Sequence, residues 1–277
     1  MRADAVATEG SARRIGGESV LMLGAGRALL AQAAHPCVAA GIVGHSRYEQ
    51  EPWRRLGRTM SAVYTVVFGA EEEADRAARH VHAVHRRVTG RLHESVGRFP
   101  AGTPYCALDP ELATWVHATM VENALAMYEL LVGPLAPGDE EAFWQDMKAV
   151  AVTFGVPGSA LPRHVEDFRA YWRQMLAGDV LAVGSDARRV AAAVLGVRVP
   201  PALRPVRRAF RALTVTTLAP ELRALYGIRV SRRDRLLAAS APALRGVLPL
   251  MPSRLRHVSD QRGRAGLPLA LLRALAE

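Results

Sequence analysis

Asp109-Pro110-Glu111-Leu112-Ala113-Thr114-Trp115-Val116-His117-Ala118-Thr119-Met120 is the stretch from which the rest of the chain can be read. Asp109 is a side chain that caps helices, and Pro110 suits a first helical position because its missing N–H has no partner there anyway. Beyond it, His117 shares a helix face with Ala113, Met120, Val121, Ala124, Tyr128 and Leu131, at spacings that return to one azimuth. The pattern predicts a helix over 109–132 with an imidazole pointing into an apolar interior. A buried, neutral imidazole is what axial ligation of haem iron requires. A hydrogen-bonded core histidine has the same pattern, so His117 alone leaves both readings open.

Working outward, apolar residues recur at helical spacing almost everywhere, and no sustained period-two run between hairpin turns appears. The expectation is an all-α, single multi-helix globular domain with a haem pocket between helices. Gly and Pro punctuation places helices at about 18–34, 36–46, 52–68, 71–94, 138–154, 161–177, 185–196, 201–217, 219–226, 231–243 and 266–276. Residues 1–14 read as a flexible N-terminus and 15–277 as one domain. Leu203, Val206, Phe210 and Leu213 continue an apolar stripe past Pro200-Pro201, so the last third is expected to pack on the core.

Half of the 277 residues are hydrophobic, enough for a sizeable core. The most apolar segment, Val20 to Val43, is interrupted by Arg27, Gln32 and His35, which argues against a membrane span. Asp4 and Glu9 precede Arg13 and Arg14, which is not the order of a secretory signal, so a cytoplasmic location is the default expectation. Cys37 and Cys106 form no CxxC or CxxCH, so any haem would be held noncovalently. From Pro200 onward fifteen arginines face only Glu221, Asp234, Asp260 and Glu277, whereas the preceding residues are nearly neutral. These arginines lack aromatic interleaving and a helix-turn-helix pattern, which argues against nucleic acid. Peripheral contact with anionic lipid through this basic third is the expectation that fits better.

Several chemistries drop out on spacing. No Glu-x-x-His pair suits a helical di-iron centre, no H-E-x-x-H or G-x-S-x-G occurs, and Gly24-Ala25-Gly26 lacks the strand and third glycine of a dinucleotide loop. His82 and His85 share a helix face among arginines, which favours solvated or capping roles. His35 and His45 flank Cys37-Val38-Ala39-Ala40-Gly41-Ile42-Val43-Gly44, a small-residue segment that admits either a packed helix or a flat cofactor. Arg55, Arg58 and Thr59 place polar groups on one side of another helix.

Taken together, Gln32-Ala33-Ala34-His35-Pro36-Cys37-Val38-Ala39-Ala40-Gly41-Ile42, His45-Ser46, Pro52, Arg55-Leu56-Gly57-Arg58-Thr59, Val67-Phe68-Gly69, Asp109-Pro110 and Trp115-Val116-His117-Ala118-Thr119 resemble the oxygenase MpaB and rubber oxygenase catalytic-domain family over roughly residues 15 to 235. The resemblance implies an all-α fold and a haem b (iron)-dependent oxygenase. His117 would be the proximal ligand, His35 and His45 would lie by the cofactor, and Arg55, Arg58 and Thr59 would lie on the haem's other side. There Arg58 and Thr59 would act on dioxygen, and Arg55 on dioxygen or a propionate. Rubber oxygenases carry lysine where Arg58 stands, so polyisoprene is not the implied substrate; an apolar, isoprenoid-like small molecule is. The alternative is a noncatalytic haem-binding sensor or carrier.

Overall fold

The structure, a computed structural model, describes residues 10–46, 52–197, 199, 201–258 and 266, with the side chains of 52–56 and 203 outside the description. It is almost entirely helical. In chain order the helices are α1 (Ser11–Gly16), α2 (Ala25–Ala33), α3 (Pro36–His45), α4 (Pro52–Phe68), α5 (Glu71–His85), α6 (Pro110–Leu131), α7 (Asp139–Thr153), α8 (Val165–Ala177), α9 (Ser185–Leu195), α10 (Arg204–Thr217), α11 (Pro220–Tyr226), α12 (Arg232–Ala239), α13 (Leu244–Val247) and α14 (Ser253–Arg256). The sheet among the described residues is one two-stranded antiparallel hairpin, β1 (Thr89–Arg91) with β2 (Pro104–Cys106), in the register Gly90 opposite Tyr105.

The all-α expectation holds, and α6 is its axis. Asp109 accepts the Glu111 N–H at 2.8 Å and Pro110 opens the helix, as the sequence indicated. Residues on several faces of α6 are buried, from Trp115 and Ala118 to Val121, Met127 and Leu131, as suits a helix surrounded by others. α2, the 3₁₀ turn Ser19–Gly24 and α7 pack around it. Trp115 donates its indole N–H to the Ala31 carbonyl and stacks on Trp172 at 5.1 Å, which locks α6 to α2 and α8. The buried Arg27 guanidinium reaches both Glu122 on α6 and the Thr217 carbonyl of α10, a forked contact across three helices.

The expected helix over 71–94 ends at His85 instead. Val88-Thr89-Gly90 disfavours helix through β-branching and glycine, and Gly90 is held in the hairpin because a Cβ there would meet Tyr105 Oη at 2.5 Å. At the N-terminus, helix begins at Ser11 with Ala12 buried, ahead of the boundary expected at 15. The span 18–34 divides into a 3₁₀ turn and α2 at Gly24. Of the apolar stripe drawn past Pro200, Leu213 is in the core and Phe210 faces a cavity, but Val206 is exposed; the side chain of Leu203 lies outside the described residues. So do residues 267–276 of the expected helix 266–276, whose first residue, Gly266, is described and is not helical. No helix among the described residues is long and apolar enough to cross a membrane.

Candidate functional site

A cavity of about 230 Å³ lies where α1, α2, α4, α6, α7 and α9 meet the turn from Ser19 to Gly24 and the middle of α10. Leu21, Met22, Leu29, Met60, Val63, Val67, Phe68, Met120, Phe143, Met147 and Phe210 give it an apolar wall. Polar atoms come only from Gln32, Thr59, Tyr64 and Asn123 among its side chains. Burial pushes the Tyr64 phenol well above its usual range, so no lining group is ionised at neutral pH.

The shape of this space follows from glycines. A Cβ on Gly24 would fall 2.3 Å from Asn123 Oδ1 and 2.5 Å from Met127 Cγ; one on Gly26 would fall 2.5 Å from Thr214 Oγ1 and 2.7 Å from Phe210 Cζ. Gly24-Ala25-Gly26 is therefore a close-approach segment that seats α2 between α6 and α10.

Thr59 lines the cavity and is itself exposed, which places it at the mouth. Arg58 is exposed beside it. Arg55 belongs to the backbone of α4, one turn earlier, with its side chain outside the described residues. Of the triplet expected from the sequence, Thr59 is the member that lines the cavity, and Arg58 is not among the lining residues.

His117 is buried one turn before Met120, and its Nε2 has no hydrogen-bond partner. Desolvation lowers its pKa to about 4, so the imidazole is neutral. The Trp144 ring stands 6.1 Å away, centroid to centroid. An unpartnered, neutral ring nitrogen has the donor chemistry that haem iron takes. His117 is not among the residues lining the cavity, whose wall on α6 begins at Met120. For His117 to hold a group in that space, the packing around Nε2 would have to open toward it.

His35 and His45 sit elsewhere. His35 caps α3 by accepting the Cys37 N–H on Nδ1 at 3.3 Å and lies against Phe99, and burial lowers its pKa to about 4. His45 Nε2 is 3.0 Å from the Thr89 carbonyl and 3.5 Å from Tyr105 Oη, at the hairpin. Neither lines the cavity, and both have partners that account for them.

Two other histidines, His85, read from its spacing as solvated or capping, and His93, which the sequence did not single out, have neighbours of note. α5 folds back along α4 through Gly69 and Ala70, so at about 1.5 Å of rise per residue its end, His85, lies level with the turn that carries Arg55. His85 is half-buried, and desolvation followed by His82 lowers its pKa. At the start of α9, His93 Nε2 lies 3.2 Å from Ser185 Oγ and Nδ1 3.5 Å from Asp186 Oδ2, which imitates a nucleophilic triad. Glu94 takes both the Ser185 hydroxyl (2.7 Å) and its N–H (2.6 Å), so the serine proton is committed to a helix cap.

The ER-bound oxygenase mpaB/B'/rubber oxygenase catalytic domain matches residues 12–250. The chain belongs to this family. Its relatives include uncharacterized protein Rv2237 of Mycobacterium tuberculosis and uncharacterized protein Mb2261 of Mycobacterium bovis, each 28% identical over 213 residues, or 75% of this chain and 80% of the relative. No solved structure matches it. The matched span includes the residues that line the cavity, from Ala12 to Phe210.

Proposed function

We propose that this member of the family is a haem b-dependent oxygenase acting on an apolar, isoprenoid-like small molecule held in the cavity, with His117 as the residue that would hold the haem iron. The observation that carries the reading is the cavity itself: an apolar chamber without an ionised lining group, with the exposed Thr59 on its wall. Family membership supports oxygenase chemistry, and the unpartnered Nε2 of His117 supports a ligand on α6. Haem, when bound, supplies the activation of dioxygen, chemistry beyond the reach of unaided side chains.

The chain's own part is binding, dryness and charge. Methionine, leucine, valine and phenylalanine side chains exclude water and hold a hydrocarbon by dispersion and burial. Thr59 can donate its hydroxyl proton, and Arg58 its guanidinium N–H groups, to negative charge that develops as the substrate is oxidised. Arg55 has the planar fork that pairs well with a carboxylate such as a propionate.

The deciding experiment is the absorption spectrum of the purified protein with a pyridine haemochrome assay, repeated on His117→Ala and His85→Ala. Stoichiometric haem b in the wild type and its loss from His117→Ala are expected. Haem kept by His117→Ala but lost from His85→Ala moves the ligand to the end of α5. A protein that neither carries haem nor takes up added haemin overturns the reading. Stable haem without oxygen uptake on any olefin leaves a sensor or carrier.

A further inference from the structure

Asn123 is the unexplained group in the cavity. Its side chain is nine-tenths buried, it lines the chamber, and its Oδ1 makes no hydrogen bond. Arg27, Trp115 and Tyr226 of the core are satisfied, by Glu122 and the Thr217 carbonyl, by the Ala31 carbonyl, and by the Leu30 carbonyl at 2.8 Å; His117 Nε2 and the Thr114 and Thr214 hydroxyls share the lack of a partner, but none of those three residues lines the cavity. A buried carboxamide oxygen without a donor is destabilising, and a leucine between Met120, Ala124 and Met127 would avoid that cost. The protein alone does not resolve this oxygen; a ligand with a suitable polar atom does.

The chemistry of the wall selects that atom. A carboxamide offers an acceptor and a donor side by side, and a hydroxyl can donate to the first while accepting from the second. Exchanging Oδ1 and Nδ2 leaves the same pair on offer, so the preference does not depend on the amide's orientation. A carboxylate has no proton to give and would enter a chamber that holds no cation, whereas a plain hydrocarbon leaves Oδ1 unpaired. Met22, Met60, Met120 and Met147 supply a wall whose unbranched side chains adapt to a flexible chain.

We propose that the cavity selects an uncharged alcohol, its hydroxyl held by Asn123 and its hydrocarbon lying among the four methionines. The inference rests on reading the cavity as the substrate pocket, and its test separates the two. Full-length protein is passed through gel filtration with 1-dodecanol, dodecane or dodecanoate, and the retained ligand is measured by gas chromatography. Wild type is expected to retain the alcohol about tenfold more than the alkane or the acid, a difference of roughly 1.4 kcal/mol. Asn123→Leu should lose that preference, keep its hold on dodecane, and match or exceed the wild-type thermal midpoint. If Asn123→Leu does not fold, Asn123→Ala removes the carboxamide without added bulk.

Equal retention of alcohol and alkane, stronger retention of the acid, or a preference that survives in the variant overturns the role of Asn123 and leaves the apolar pocket standing. A marked fall in midpoint for both variants makes Asn123 structural and overturns its role as well. Retention of none of the three by wild type overturns the pocket reading and the inference together.

Discussion

A neutral imidazole in an apolar interior has a signature in acid. His117 and His35 titrate near 4 in the folded chain against 6.5 when unfolded, both chiefly through desolvation. Below 6.5 the unfolded chain takes up protons that the folded chain refuses, so the stability present above 6.5 is lost as pH falls through the window down to about 4. Each group accounts for up to about 3 kcal/mol of that loss. Denaturant midpoints measured from pH 7 to 4 should fall steeply, and His117→Leu should flatten the slope; an unchanged slope would mean that His117 is not desolvated. Arg58 and Thr59 are exposed on α4, so Arg58→Ala and Thr59→Val are expected to leave the thermal midpoint within a degree or two. Oxygen uptake with farnesol as a test olefin should fall by about 3 kcal/mol in barrier terms. Loss of midpoint and haem together would instead make them structural. At this scale the spacing on α6 was enough to place His117 inside, because helix geometry fixes azimuth. It could not show that Nε2 goes unpartnered, that Asn123 faces a chamber, or that His35 serves as a helix cap, since those depend on contacts far apart in sequence.

Helices were legible wherever Pro and Gly punctuate an apolar stripe, and illegible where two helices are pressed together. Gly24-Ala25-Gly26 carries no periodic signal, yet it sets how closely α2 lies on α6 and α10. Gly24→Ala and Gly26→Ala are therefore expected to destabilise by about 1–3 kcal/mol, as overpacking does, and to reduce ligand retention because the cavity wall must shift. Gly16, in the last turn of α1 and also on the cavity wall, has nothing within 4 Å of a built Cβ. Gly16→Ala should be neutral or stabilising by up to about 1 kcal/mol. Urea titration of the three variants checks the contrast, and equal effects at Gly16 and Gly24 would contradict the packing assigned to α2. The hairpin β1–β2 escaped the sequence reading for a related reason: three-residue strands are too short to establish a period of two, and their partners lie beyond a long turn.

Across the whole molecule, the cavity's front wall depends on how the two ends of the chain are joined. Ala12, Gly16, Leu21 and Met22 contribute one side of the chamber from α1 and the turn that follows. Between them, the buried Glu18 carboxylate receives Arg256 of α14 through Nε at 3.0 Å and Nη2 at 2.6 Å, with Val258 N–H on the Gly17 carbonyl and Ser19 Oγ on the Leu255 carbonyl. This clamp draws the basic C-terminal third onto the N-terminal segment across more than two hundred residues of sequence, a pairing that no local pattern announces. Arg256→Met leaves the buried Glu18 charge unpaired and is expected to cost about 3 kcal/mol, whereas Glu18→Gln leaves a partly exposed guanidinium and should cost less. Each should also loosen α1 and lower retention of an apolar ligand. Replacing both sides, Glu18→Leu with Arg256→Met, should recover most of the stability, because two apolar groups need no mutual compensation. A double-mutant cycle on urea midpoints, with dodecanol retention read in parallel, tests the coupling. Additive losses in the double variant would show that the clamp is a surface contact with no hold on the cavity wall.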